Sequence, residues 1–151
     1  ALELCENFVG DDNCTVLLGD NMFEDSLVQH VKDFDGDCKL FFKNVSDGHR
    51  YGVGRFEEGI GLYEILEKPS DVTHAYAAIG VYIYSSKVFE LLKKVKPSYR
   101  GEREITTVNN MFLSSELKHT YCFVDGWWTD AGTMETYLLA NRLVNNESKV
   151  D

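Results

Sequence analysis

The sequence predicts an α/β fold, and three consecutive stretches carry that expectation. Residues 14–18, Cys-Thr-Val-Leu-Leu, form a short apolar run that stops at Gly19-Asp20-Asn21, the pattern of a buried strand ending in a turn. Phe23, Leu27, Val31 and Phe34 then recur at helical spacing, one face of a helix that ends near Asp35-Gly36-Asp37. Residues 39–45 read as a second strand. A strand, a helix and a strand within roughly 35 residues form the signature of a parallel crossover.

The remaining elements come in order along the chain. Residues 52–56 and 60–66 flank the turn Glu57-Glu58-Gly59 and predict a hairpin, whose second arm places Leu62 and Glu64 opposite Tyr63 and Ile65. Residues 76–84 predict a strand with Gly80 inside it, which marks a bulge or a close approach of backbone to a ligand. Ser85 and Ser86 offer an N-cap for a helix that packs Val88, Leu91, Leu92 and Val95 inward and stops at Pro97. A further helix starts near Glu104, with Ile105, Val108 and Phe112 inward. Residues 120–124 are the last predicted strand and residues 126–133 a loop, after which Thr133 caps a helix running to about Val144. The tail, residues 145–151, is polar and expected to fray. Residues 1–8 already have an amphipathic pattern, with Leu4 and Phe8 on one stripe and no initiator Met, so the domain is expected to begin before residue 1.

Composition narrows the function. At 151 residues and 44% hydrophobic content the chain is long enough for a single domain. A formal charge of −10 argues against a nucleic-acid surface, which needs clustered Lys and Arg. An anionic small molecule remains compatible, because a few placed cations and a divalent metal hold a phosphate locally. Cys5, Cys14, Cys38 and Cys122 form no Cys-x-x-Cys pair, so buried free thiols are expected rather than zinc or redox chemistry. The absence of a long apolar run and of a basic-plus-apolar leader points away from a membrane and, by default, to the cytoplasm.

Several residues stand where chemistry is done, each with a plainer alternative. Asp20 follows a strand, in the crevice where open α/β sheets bind ligands, although an Asp-Asn turn accounts for it equally well. Asp130 sits in a Gly-containing loop, where it either joins Asp20 as one of a pair of carboxylates for Mg²⁺ or serves as a helix N-cap. Glu67-Lys68-Pro69 fixes an acid and an ammonium beside a strand end: the ammonium suits a phosphate and the carboxylate sugar hydroxyls, against the alternative of an exposed ion pair. Arg100, in the charged run 100–104, has a guanidinium that can fork onto phosphate oxygens, or it is simply solvated. Arg50-Tyr51-Gly52 brings backbone near a ligand at Gly52, or makes a turn.

The order of the motifs is more specific than any one of them. Leu-Gly-Asp-Asn, Arg-Tyr-Gly-Val, Glu-Lys-Pro, Gly-Val-Tyr, Arg-Gly-Glu-x-Glu-Ile-Thr and Trp-Thr-Asp-Ala-Gly-Thr succeed one another over residues 1–144. That series resembles the sugar-phosphate nucleotidylyltransferases, most nearly the glucose-1-phosphate thymidylyltransferases. The resemblance implies a mixed, mainly parallel sheet flanked by helices. It also implies a Mg²⁺-dependent reaction of a sugar 1-phosphate with dTTP or UTP, which the motifs do not separate, giving a nucleotide sugar and pyrophosphate. Asp20 and Asp130 would then be metal ligands. Gly52, Glu67 and Tyr82 would meet the sugar, and Lys68 and Arg100 would serve as the phosphate-binding catalytic cations. The family's Gly-rich loop of Gly-x-Gly-x-Arg-Leu type has no counterpart in residues 1–151, so a partial catalytic domain, association into a homo-oligomer and no turnover by this chain alone are expected. The rival reading is a non-catalytic module for sugar-phosphate binding or assembly.

Overall fold

A computed structural model describes residues 1–98 and 101–145 of the chain. Its centre is a ten-residue strand, β6 (Ala75–Tyr84), whose alternating apolar side chains are buried on both faces. Along one edge of β6 runs β3 (Cys38–Val45); along the other, β1 (Cys14–Leu17) covers the C-terminal half and β4 (Gly52–Glu57) meets the N-terminal half. The hairpin partner β5 (Gly61–Glu67) lies beyond β4, and β7 (His119–Phe123) lies beyond β3, giving the order β5-β4-β6-β3-β7 with β1 beside β6. A two-stranded sheet of β2 (Asn21–Phe23) and β8 (Trp128–Asp130) stands apart.

The sheet is mixed and flanked by helices, as expected, but it is not mainly parallel. Among the described residues β3–β7 is the parallel pairing, and the others are antiparallel. The predicted crossover does join two strands of like direction, since β1 and β3 are both antiparallel to β6; β6 is inserted between them.

Alternation along β3 feeds two cores. Leu40 and Phe42 face α3 (Lys87–Leu92) and α4 (Ile105–Leu113), joining Leu62, Ile65, Tyr82, Tyr84, Val88, Phe89, Val108 and Phe112. Phe41 faces the other way, toward Ile79, Val81, Ile83 and Val124, with Phe23, Leu27, Phe34 and Trp128 packed against that smaller cluster. Removing a ring from the larger core, as in Phe112→Ala, would cost about 3–5 kcal/mol through lost burial and the cavity left behind. The buried polar pair there is satisfied: the Tyr84 hydroxyl donates to Asn109 Oδ1 at 2.6 Å.

Local departures from the sequence reading have physical causes. Residues 21–23 are strand, not the first turn of a helix, because their backbone pairs with β8; the helix shrinks to α2 (Val28–Lys32). Phe23, Leu27 and Phe34 still reach one cluster, but Val31 does not. In β5 a register shift opposite Arg55 and Phe56 leaves Tyr63 unpaired, so Leu62 and Ile65, not Leu62 and Glu64, share the buried face. The predicted loop 126–133 contains β8, and Thr133, not Asp130, is the N-cap of α5 (Met134–Val144), in a capping box with Thr136. Only Cys38 of the free thiols is buried; Cys14 and Cys122 are half-buried and Cys5 is exposed. At the start, a 3-10 turn (Leu2–Cys5) and α1 (Glu6–Val9) pack Leu2 and Val9 inward, leaving the Leu4 and Phe8 stripe outward at 88% and 92% exposure. Of the tail, only Asn145 is among the described residues, as the C-cap of α5.

Candidate active site

Six residues singled out from the sequence, Asp20, Gly52, Glu67, Lys68, Tyr82 and Asp130, line one cavity of about 190 Å³. The seventh, Arg100, lies outside the described residues.

The acids meet because two turns are stitched together. Asn21 is the register partner of Asp130 across β2 and β8, and the Ala131 N–H donates to the Asp20 carbonyl at 2.6 Å. Gly132 completes the approach: a Cβ there would stand 3.7 Å from Asp20 Oδ2 and 4.0 Å from Asp130 Oδ2. Two carboxylates thus converge on one space. That donor set suits Mg²⁺, a hard cation that takes one or two carboxylates and completes its shell with waters and phosphate oxygens. A third acidic or imidazole ligand is not gathered with them among the described residues.

Asn21 locks the floor. Its Oδ1 accepts from the Gly80 N–H and from Trp128 Nε1, both at 2.8 Å, and its Nδ2 donates to Asp20 Oδ1 at 2.8 Å. Gly80 is required here, since a Cβ would collide with the Asn21 amide. The glycine in β6 therefore marks the close approach of a side chain of the same protein.

On the opposite wall, Gly52 and Glu67 are register partners at the start of β4 and the end of β5. Thr106 on α4 donates its hydroxyl to Glu67 Oε2, and both residues line the cavity. A Cβ on Gly52 would press on Ile65 at 3.2 Å and Thr106 Oγ1 at 3.3 Å, so the glycine leaves room for the Thr106–Glu67 contact. Lys68 follows with φ 45°, a left-handed conformation that costs a residue with a Cβ and is further disfavoured before proline. Its N–H donates to the Tyr51 carbonyl at 2.9 Å, tying β5 to the Arg50-Tyr51-Gly52 segment. Among the described residues the Lys68 ammonium has no carboxylate partner, so the exposed ion-pair alternative is not what the structure shows.

Arg50, Tyr51, Asn21, Thr106, Asn109 and Trp128 complete the lining. Burial raises the Tyr51 and Tyr82 hydroxyl pKa values well above the ordinary tyrosine range, with Asp130 adding to the effect at Tyr51 and Glu67 and Asp20 at Tyr82. Both phenols stay neutral donors. For Arg50, burial works against the charge, but the hydrogen bond to Asp47, with Tyr51 and Asp130, outweighs it and holds the guanidinium above its usual value. All of these but Asn109 lie in the motifs quoted from the sequence, yet no role is legible there for Asn21, Thr106 or Trp128, because an Asn in a turn or a Thr in a helix reads as local structure.

Three comparisons bear on this site. The family model described as nucleotidyl transferase matches residues 1–147. A low-salt glycan biosynthesis nucleotidyltransferase of Haloferax volcanii is 33% identical, covering 92% of this chain and 40% of that protein. A glucose-1-phosphate thymidylyltransferase of Neisseria gonorrhoeae is 34% identical, covering 87% of this chain and 47% of that protein. The chain thus spans under half the length of these relatives. A Bacillus anthracis structure assigned as a glucose-1-phosphate thymidylyltransferase, in complex with sucrose, superposes with a TM-score of 0.84 at 40% identity, covering 99% of this chain and 61% of that one. A UDP-glucose pyrophosphorylase bound to UDP-glucose shares the fold at a TM-score of 0.78 and 22% identity, covering 97% of this chain and 61% of that one.

Proposed function

Because the chain belongs to the nucleotidyl transferase family, we propose that it forms the sugar-phosphate and metal half of a catalytic domain of the glucose-1-phosphate thymidylyltransferase type. The parent enzyme would transfer a nucleotidyl group from dTTP to glucose 1-phosphate: a phosphate oxygen of the sugar attacks the α-phosphorus, a new P–O bond forms and pyrophosphate leaves. The observation that supports this most is the convergence of the two acids, the Lys68 ammonium and the Glu67 carboxylate on one cavity.

Each residue has work suited to its chemistry. Lys68 neutralises the sugar phosphate and, together with Arg100, positions it, while Glu67, Gly52 and Tyr82 bound the sugar. Asp20 and Asp130 would hold Mg²⁺, which supplies charge neutralisation on the phosphates when bound. Catalysis of this kind is mostly positioning, so the rigid ties of Asn21 and Thr106 matter as much as the charges they hold. No helix among the described residues is long and apolar enough to cross a membrane. A cytoplasmic location belongs to the same proposal, since the substrates it invokes are water-soluble phosphates. The exposed Leu4 and Phe8 and the open edge of β1 favour a homo-oligomer.

Titration with glucose 1-phosphate, followed by chemical-shift changes with and without Mg²⁺, tests the reading. A few charge-assisted hydrogen bonds, each worth about 1.5–3 kcal/mol, must offset the cost of association, so millimolar affinity is expected. Shifts should cluster at Glu67 and Lys68, strengthen with Mg²⁺ and vanish in Lys68→Ala, with no pyrophosphate released by this chain alone. No shift at tens of millimolar would favour an assembly module instead.

A further inference from the structure

The Asp130 carboxylate is already in contact with a cation. Arg50 Nη2 lies 3.1 Å from Asp130 Oδ1 and 3.3 Å from Oδ2, and the Tyr51 hydroxyl stands 3.5 Å from Oδ1. The same guanidinium gives its Nη1 to Asp47 at 2.9 Å and lies over the Tyr51 ring, 5.1 Å from its centroid. Arg50 therefore has two carboxylate partners, one on each terminal nitrogen, and only Asp130 lines the cavity. Asp20, the other acid, has no cation of its own among the described residues; its partner is the neutral Asn21 amide.

This asymmetry has an electrostatic consequence. A divalent cation held by Asp20 and Asp130 must share Asp130 with a positive charge already bound to both of its oxygens. Loosening the Arg50–Asp130 contact leaves the guanidinium anchored, because Asp47 and the Tyr51 ring still hold it. Exchange at Asp130 thus needs no unpaired buried charge, which is the usual obstacle to moving an arginine. Resting on the metal-site reading above, we infer that Arg50 is a positioning residue that competes with the divalent cation for Asp130: it keeps the acid oriented before the metal arrives and sets the metal affinity below what the two carboxylates would otherwise give.

A purely structural Arg50 predicts the opposite sign. Were its role only to tie the segment before β4 to β8, its removal would let the acids splay and weaken metal binding. Competition predicts tighter binding, since the local positive charge is gone and Gly132, Ala131 and the β2–β8 register still hold the acids together.

The experiment is a Mn²⁺ titration of the chain, followed by paramagnetic broadening of the Trp128 indole N–H, a group 2.8 Å from Asn21 beside Asp20. Arg50→Gln should bind Mn²⁺ about threefold to tenfold more tightly than wild type, a modest factor because the pair is partly solvated. Arg50→Lys, which keeps the charge but not the two-armed fork, should fall between wild type and Arg50→Gln, and binding tighter than in Arg50→Gln would count against competition by charge. Arg55→Gln removes an equal charge from an exposed position beside Tyr63, so a threefold tightening there would reduce the effect to net charge and overturn the inference. Unchanged or weaker binding in Arg50→Gln overturns it as well. A wild-type chain with no saturable Mn²⁺ binding, or one in which Asp20→Asn binds equally well, overturns the metal site itself and the inference with it.

Discussion

Truncating Asn21 to alanine should destabilise the protein by about 2–4 kcal/mol. The side chain accepts two N–H donors on one oxygen, from Gly80 and Trp128, each at 2.8 Å. Both donors are partly buried, and a donor left unpaired in such a setting costs about 1–3 kcal/mol. Loss of packing against Gly80, which is bare so that this amide can sit on it, adds a little; partial access of water to the cavity subtracts a little. Urea unfolding of wild type and variant, with equal m-values, gives the difference directly. Hydrogen exchange of the Trp128 indole N–H is the local readout: it should be slow in the wild type and accelerate in Asn21→Ala. A stability change under about 0.5 kcal/mol, the level of an ordinary surface substitution, with indole exchange unaltered would refute the claim that Asn21 is the lock beneath Asp20.

Other perturbations test other joints. Lys68→Gly should leave the protein as stable as wild type or more stable by about 1 kcal/mol, since glycine adopts φ 45° without strain, yet abolish glucose 1-phosphate binding; Lys68→Ala should lose binding with no such gain, and equal stability of the two variants would contradict the strain argument. Asp37 accepts from Ser85 Oγ, Lys87 Nζ and the Lys118 N–H. Burial tends to raise its pKa, but these contacts outweigh that and hold it below the usual carboxylate value. Its stabilisation is therefore present above the unfolded-state pKa and lost as the pH falls through the folded one, so the gap in thermal stability between wild type and Asp37→Asn should close in acid and stay open at neutrality. Thr133→Ala removes the capping box of α5 and should cost about 1 kcal/mol, read as earlier melting of helical circular dichroism.

Periodic patterns and ordered motifs were legible in the sequence. Val88, Val108 and Phe112 stand at helical spacing and are buried under helices, and the strands around Leu40 and Ile79 are where their apolar runs place them. Asp20 and Asp130, which line one cavity, stand out because they occur in ordered motifs, not because either is distinctive alone. Three features were hidden for a common reason: they depend on partners distant in sequence. β8 is three residues long and rich in polar side chains, and it exists because β2 pairs with it. The Tyr63 bulge interrupts an alternation that looks regular when β5 is read without β4. The contact of Arg50 with Asp130 spans 80 positions, and no local pattern announces it.

The position of β6 bears on how the chain reaches this state. Cys14 and Cys38 are both register partners of Tyr84, and Val53 is partnered by Ala77, so β1, β3 and β4 all await one strand that comes after them in the chain. Among the pairings of the described residues, only the β4–β5 hairpin can close without residues 75–84 or later ones. Everything else requires long loops to be drawn shut at once, which places the rate-limiting barrier at the docking of β6 and makes folding slow for the chain's size. Weakening β6 by Ala77→Gly should then slow refolding, whereas changes at the hairpin turn around Gly59 should chiefly alter unfolding; stopped-flow kinetics showing the reverse would move the nucleus to the hairpin. Until that strand docks, β1, β3 and β4 lack the partner they share, so a refolding chain is most open to association in the interval before β6 is in place.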